Sequence, residues 1–147
     1  MQGGKGRFLV ERQAAIWKAG GALEGAPLLY VEIADTFGRR LLGLMGRKNI
    51  APSHALLLRP CSSVHMCFMR FSIDVAFVKR QEDGEGWQVV KVARGLRPWT
   101  GLGVCTEADA ALEMGMGEAE RIGMEPGTVW EEVRMEAEKY VNTSPPL

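Results

Sequence analysis

The sequence predicts a mainly β (α+β) fold: a small antiparallel β-barrel-like single domain with two or three short helices. Five to seven short segments are strand-like, because they alternate apolar and polar residues or are continuously apolar. Glycine- and proline-rich turns separate them, whereas helical spacing is limited to a few short stretches. At 147 residues the chain has single-domain length and can bury an adequate core without a disulfide or a metal.

The strands are predicted from alternation and from turn residues at their ends. The segment LLYVEIA alternates apolar side chains with Tyr30, Glu32 and Ala34. The turn QEDGEG predicts a β-hairpin between two apolar segments. The predicted strands are residues 28–34, 55–60, 64–69, 73–79, 87–94, 106–114 and 128–135.

Two segments are predicted to be helical. Phe37, Leu41 and Leu44 recur at i, i+4 and i+7 in FGRRLLGLMG, and Gly46 is a natural C-terminal stop. A shorter helix of one or two turns is expected in GEAERIGMEPG, ending before Pro126.

Three regions follow from this pattern. We expect residues 1–27 to be a loosely ordered N-terminal extension, 28–136 the barrel-like domain and 137–147 a C-terminal tail. Within the extension, residues 7–18 suit a helix or a strand equally, and GGALEGAP is typical of a linker.

Composition limits the classes of partner. The 18 Lys/Arg and 18 Asp/Glu give a formal net charge of zero, which argues against nucleic acid and anionic membranes as partners. The N-terminus lacks a signal-peptide core, and no apolar run is long enough for a membrane span. An odd count of three cysteines favours a reducing compartment, so a cytoplasmic location is expected.

The segment CSSVHMCFMRFSIDVAF contains residue types that serve in metal binding and in covalent catalysis. Cys61, His65 and Cys67 have irregular spacing, and Cys105 is remote, whereas closed zinc sites use four ligands in tight pairs. Buried cysteines often act as small hydrophobic residues, so we expect no metal and no cofactor. A serine or cysteine nucleophile beside His65 lacks a G-x-S-x-G elbow to support it.

The charged residues of the same segment carry more information. Arg70 and Asp74 flank the tripeptide FSI between apolar segments, and a buried charge must be paired or solvated. A structural pair of Asp74 with Arg39, Arg40 or Arg47 and a ligand contact at a barrel mouth both remain open.

A second polar segment is the loop GLRPWTG, which carries Arg97 and Trp99. An aromatic side chain beside an arginine on a rigid loop is typical of small-ligand pockets. It is equally typical of a loop anchored onto a core, so both interpretations stay open.

Several ordered motifs resemble one known family. TFGRRLLGLMGRKNI, ALLLRPCSSVHMCFMRFSIDVAFV and VVKVARGLRPWTG are similar to the segments of domain of unknown function 192, over about residues 29–133. The resemblance implies a compact β-barrel-like domain with no assigned biochemical role. Its signature positions would be Arg39, Gly43, Leu44, Met45, Gly46, Arg47, His65, Phe68, Met69, Asp74, Phe77 and Trp99.

This chain departs from the family pattern at three places. Ser72 replaces a proline before Ile-Asp, and Met66-Cys67 replaces Thr-Phe after the histidine. Cys67 thus occupies an aromatic position, which counts against a role as a metal ligand. Gly127-Thr128 stands where the family has Gly-Asp, so an acidic group at that corner is missing.

These observations favour a non-enzymatic binding module for a small-molecule ligand, such as an anion. The segment from Cys61 to Phe77 is predicted to form two barrel strands joined at MRFS. The predicted ligand-binding residues at the barrel mouth are Arg39, Arg47, His65, Arg70, Asp74 and Trp99.

Two alternatives from other classes remain open. One is a hydrolase or transferase with His65 as general base and Asp74 orienting it. The other is a structural or interaction subunit with a protein partner, which requires an exposed apolar patch.

Overall fold

The computed structural model describes residues 13–21, 26–36 and 43–134. In chain order, the elements are β1 (Gln13–Ala19), β2 (Leu28–Ala34), β3 (His54–Leu58), β4 (Ser63–His65), β5 (Ile73–Arg80), β6 (Trp87–Leu96), β7 (Leu102–Val104), β8 (Ala110–Gly115), α1 (Glu118–Arg121) and β9 (Val129–Arg134).

Seven of the described strands form a closed barrel in the order β1-β2-β3-β8-β5-β6-β9, and β1 pairs with β9 to close it. Every pairing in the barrel is antiparallel except that of β2 with β3. The mainly β, barrel-like prediction is confirmed, and β5 and β6 pair around the expected QEDGEG turn.

The prediction of two or three short helices is not borne out, because α1 is the one helix in the described ranges. The predicted helix over 37–46 falls partly outside them, at residues 37–42. Its end at 43–46 is a turn in which Gly43 and Gly46 have positive φ angles, a conformation that interrupts a right-handed helix.

The barrel also includes a strand that the sequence placed in the N-terminal extension. Residues 13–19 form β1, whose Ala15 and Trp17 are fully buried. These two side chains alternate with Ile16 and Lys18, which explains why a strand forms where the pattern suited either structure. Of the rest of the predicted extension, the structure describes residues 20–21 and 26–27. The remainder of the extension and the predicted tail at 137–147 lie outside the described residues.

Alternation along the strands creates two apolar clusters. The first takes side chains from all seven barrel strands, with Ala119, Ile122 and Met124 packed against them from α1 and the residues after it, and therefore fills the barrel interior. The second lies on the opposite face of β3, β5 and β8, where Leu44, Met66, Met69 and Cys105 cover it. Strand β5 contributes to both clusters, so it is an almost continuous apolar run.

One strand of the segment from Cys61 to Phe77 lies outside the barrel. β4 pairs with β7 in a separate two-stranded sheet, which corrects the prediction of two barrel strands joined at MRFS. Only Val64 of the three β4 residues is buried, so this strand lacks the apolar content of a barrel strand. A turn closed by the bond from the Met69 N–H to the Met66 carbonyl then leads to β5.

Candidate functional site

Asp74, the most deeply buried of the predicted site residues that the structure describes, is held by backbone N–H groups. Oδ1 accepts a hydrogen bond from Gly95 N at 2.9 Å, and Oδ2 accepts from Gly117 N at 3.0 Å and Ala119 N at 3.2 Å. The last two donors belong to the start of α1, whose first N–H groups have no intrahelical acceptor. The carboxylate therefore anchors β6 and α1 to the start of β5.

None of the arginines considered as partners reaches Asp74 in the described part of the chain. Arg47 lies 3.5 Å from Glu32 instead, on the outer face of the barrel. Arg39 and Arg40 lie outside the described residues.

His65 and Asp74 do not form a catalytic pair in the described structure. The imidazole is exposed, and its Nδ1 accepts a hydrogen bond from Cys67 N at 3.3 Å. Both oxygens of Asp74 are already engaged by backbone donors. A general base oriented by a carboxylate requires a hydrogen bond between the two groups, which this arrangement does not provide.

Trp99 and Arg70 lie on the protein surface. Trp99 is 59% exposed, and its ring contacts Phe68 with a centroid distance of 4.8 Å. The backbone N–H of Trp99 donates to the Met66 carbonyl at 2.7 Å, which brings this loop next to His65. Arg70 is exposed near the same turn. The structure thus groups His65 and Trp99 but leaves Asp74 and Arg47 in other networks.

The three cysteines lie in different environments. Cys105 is buried in the second apolar cluster, and the Cys61 thiol donates to the Ser63 carbonyl at 3.1 Å. Across the three described ranges, no group of three or more His, Cys, Asp or Glu side chains is placed to hold a metal ion.

A second buried carboxylate, Glu113, lies on the outer face of β8. It is 5% exposed, and burial raises its pKa to about 7, although the positive charge of Arg47 opposes that shift. Its Oε2 has no hydrogen-bond partner in the described structure. Glu32 and Glu113 thus share the influence of a single guanidinium.

An open groove of about 360 Å³ lies at one end of the barrel, and we call it the arginine groove. It is lined by Asp35, Arg59, Pro60, Arg80, Trp87 and Asp109. Arg59 directly follows the carboxyl end of β3, and Arg80 is the last residue of β5. The parallel β2 also ends here and is followed by Asp35, so the register of the barrel brings these residues together.

Both arginines of the groove have distant ionic partners. Arg59 Nη2 lies 3.7 Å from Asp35 Oδ2, and Arg80 Nη1 lies 3.8 Å from Glu132 Oε2. These separations exceed ordinary hydrogen-bond lengths, so the guanidinium N–H groups retain donor capacity. The Arg80 guanidinium also lies over the Trp87 ring, 4.1 Å from its centroid.

Two tryptophans and Glu132 form a hydrogen-bonded cluster behind Arg80. Trp17 and Trp87 stack with centroids 5.7 Å apart, and each indole N–H donates to Glu132 Oε1, at 3.1 and 3.2 Å. At the edge of the groove, the Arg80 backbone N–H donates to Asp109 Oδ2 at 2.8 Å. Arg80 is therefore fixed at its backbone, its ring contact and its ionic partner.

Sequence reasoning missed the two arginines of the groove. Each ends an apolar strand segment, LLLR and AFVKR, which signals a charge at the rim of a sheet. The segments are about 20 residues apart in the sequence, and only the barrel pairing shows that their ends meet.

Comparison with known proteins identifies the family. The model of DUF192, described as "Uncharacterized ACR", matches residues 21–131. The chain belongs to the DUF192 family. A search of curated proteins finds no match.

Solved structures share the fold of this DUF192 protein. A protein from Sinorhizobium meliloti 1021, described as a "putative transcription regulator", superposes with a TM-score of 0.66 at 20% identity, covering 82% of this chain and 93% of that one. A protein of unknown function from Novosphingobium aromaticivorans gives a TM-score of 0.61 at 21% identity, covering 81% and 83%. At these identities, the likeness concerns the fold alone.

Proposed function

We propose that this DUF192 protein binds a small organic carboxylate in the arginine groove. The observation that carries the proposal is the pair of guanidinium groups, Arg59 and Arg80, in one groove with ionic partners at 3.7 and 3.8 Å. A carboxylate accepts two parallel N–H bonds from a guanidinium, and a ligand oxygen at hydrogen-bond distance would make closer contacts than these ion pairs.

The remaining walls define what else the ligand carries. Trp87 and Pro60 provide apolar surface, whereas Asp35 and Asp109 add negative charge around the arginines. Ligands with several anionic groups would be repelled by the aspartates, so a monocarboxylate with a planar apolar body fits best. The volume of about 360 Å³ is at the lower end of the range for small-molecule sites.

The alternative of a hydrolase or transferase has less support. It relied on His65 and Asp74, which make hydrogen bonds to different backbone groups. The groove contributes no histidine or cysteine among its lining residues, and a guanidinium group offers hydrogen-bond donors but no acceptor. Binding is therefore a better match to the chemistry of the groove than proton transfer.

Isothermal titration calorimetry with benzoate, and with the neutral analogue benzamide, tests the proposal. We expect benzoate to bind and benzamide not to bind, since only the carboxylate can accept from the arginines. Arg80→Gln and Arg59→Gln should each weaken benzoate binding at least about tenfold, because each removes a charge-assisted contact.

Arg94→Gln is the matched control, because Arg94 is an exposed β6 residue that does not line the groove. It should leave benzoate affinity unchanged. Thermal melting of each variant separates lost binding from lost folding, which matters for Arg80 because it also contacts Trp87 and Glu132. Equal binding of benzoate and benzamide, or an equal loss in Arg94→Gln, would contradict the proposal.

A further inference from the structure

Two tight turns place a pair of aromatic side chains side by side on the surface. Phe68 lies in the turn closed by Met69 N and the Met66 carbonyl, and Trp99 lies in the loop where Gly101 N donates to the Arg97 carbonyl. The backbone N–H of Trp99 also donates to the Met66 carbonyl, and this bond connects the two turns. A Cβ at Gly101 would lie 2.7 Å from the Met66 side chain, so this approach requires glycine.

Both aromatic residues have an unfavourable backbone conformation. The φ angle is +65° at Phe68 and +69° at Trp99, in the left-handed region that bulky side chains rarely occupy. Their side chains are nevertheless 63% and 59% exposed. A strained backbone that presents large apolar rings to water gains little from internal packing, and such strain is typical of binding sites.

The apolar surface continues onto the two-stranded sheet of β4 and β7. Leu102 and Val104 are 65% and 43% exposed, and Leu102 lies opposite His65 in the register. Phe68, Trp99, Leu102 and Val104 together form what we call the aromatic cap. A group of exposed large apolar side chains is typical of an interaction site.

The chain segments that carry the aromatic cap are basic. Residues 61–73 and 88–106 contain Arg70, Lys91, Arg94 and Arg97 but no aspartate or glutamate, and the acidic residues Asp74 and Glu107 directly follow the two segments. Lys91 Nζ donates to the Val104 carbonyl at 2.8 Å, which places one ammonium at the edge of the cap. The zero net charge that argued against an anionic membrane is a property of the whole chain and does not describe this surface.

We propose that the aromatic cap is a peripheral docking surface for an anionic lipid bilayer. Aromatic and aliphatic side chains would enter the interface while Arg70, Lys91 and Arg97 contact lipid phosphates. Turn tips can insert into a bilayer directly. A protein partner, in contrast, would need a preformed pocket to receive them. The two rings are tilted by 58°, so they offer no parallel slot for a nucleic-acid base, and Leu102 and Val104 suit acyl chains better.

The helix described in the structure, α1, is not long and apolar enough to traverse a bilayer. The docking proposed here is a surface contact of loops, and it depends on two contributions that can be separated: the apolar insertion of the cap and the attraction of its basic residues. Each contribution predicts its own dependence on vesicle composition.

The full-length protein is titrated with vesicles of phosphatidylcholine alone and of phosphatidylcholine with phosphatidylserine, each with and without brominated acyl chains. Of the four tryptophans, Trp17, Trp87 and Trp130 are at most 2% exposed, so quenching by bromine reports on Trp99. We expect binding that depends on phosphatidylserine, a blue shift of the emission and quenching by the brominated lipid.

Variants separate the two contributions. Leu102→Ser, which keeps the Trp99 reporter, should lower the vesicle partition coefficient about tenfold, and Arg70→Gln and Arg97→Gln about fivefold each. The matched control is Tyr30→Ser, since Tyr30 is 39% exposed and stacks on His54 outside the cap. It should leave the partition coefficient unchanged.

Three outcomes would overturn the proposal. They are a lack of binding to both kinds of vesicle, binding to phosphatidylserine without quenching of Trp99, and an equal loss in the Tyr30 variant. A parallel titration with oligo(dT) tests the other class of anionic partner. Quenching of Trp99 by oligo(dT) but not by brominated vesicles would reassign the cap to nucleic acid.

Discussion

Asp74 and Glu113 are buried carboxylates on neighbouring strands of one barrel, yet their surroundings differ. Their exposures are 1% and 5%, and β5 and β8 place Asp74 opposite Met114 and Glu113 opposite Val75. Asp74 accepts three backbone hydrogen bonds, whereas Oε2 of Glu113 has no partner in the described structure. Burial of a charge therefore does not distinguish a structural group from an unsatisfied one, but the count of its hydrogen bonds does.

The largest effect is expected from Asp74→Asn, which tests the satisfied member of the comparison. Asparagine offers one acceptor oxygen, and its NH₂ group would face backbone donors that the second carboxylate oxygen now satisfies. We expect the free energy of unfolding to fall by about 3 kcal/mol, as for a lost charged hydrogen-bond network. Urea denaturation measures this loss.

Asp109→Asn is the matched control for Asp74→Asn. Asp109 is exposed and accepts one backbone hydrogen bond, from Arg80 N at 2.8 Å, so the loss of this bond should cost about 1 kcal/mol or less. Equal stability of the Asp74 variant and the wild type would mean that the anchoring of β6 and α1 contributes little. The ligand role predicted for Asp74 would then regain support.

The comparison also shows what the sequence can predict. Alternation in LLYVEIA and continuous apolarity in IDVAFV predicted β2 and β5, because side-chain burial repeats with the strand period. The sequence singled out Asp74 as a charge in an apolar setting. Its partners, however, are N–H groups 21 to 45 residues away in the sequence. Backbone donors cannot be predicted from a pattern of side chains, because every residue except proline has one.

Glu113 is a buried carboxylate that the sequence does not single out. It lies within the predicted strand 106–114, where a glutamate usually faces water, so the sequence gives no sign that this residue is buried. Here Leu44, Met66 and Met69 belong to the layer that covers the outer face of the barrel. Such coverage comes from loops distant in the sequence, so the burial of Glu113 could be found only in the structure.

Glu113→Gln should change the pH dependence of stability. The folded-state pKa is about 7, against an ordinary value of 4.5, so the folded protein binds more protons than the unfolded chain between these values. The stability of the wild type is therefore highest below pH 4.5 with respect to this group and declines as the pH rises through 7. The total loss is about 3 kcal/mol at 1.4 kcal/mol per pKa unit.

The glutamine variant lacks this titration and should gain on the wild type as the pH rises. We expect similar unfolding free energies at pH 5 and a more stable variant at pH 8, measured by urea denaturation across that range. Glu120→Gln is the control, because Glu120 is exposed on α1. Parallel stability profiles for wild type and Glu113→Gln would show that the carboxyl group titrates normally.

The smallest effect is expected from Arg47→Met, which removes the positive charge that Glu32 and Glu113 share. Because Arg47 lowers the pKa of Glu113, its removal should raise that pKa above 7 and extend the decline in stability to higher pH. In a double-mutant cycle at pH 8, Arg47→Met and Glu113→Gln should be coupled by about 1 kcal/mol. Lys48→Met changes the exposed neighbouring position and should show no coupling with Glu113→Gln. Equal coupling energies for the Arg47 and Lys48 variants would mean that the coupling reflects the overall charge of the protein and that Arg47 is not a specific partner of Glu113.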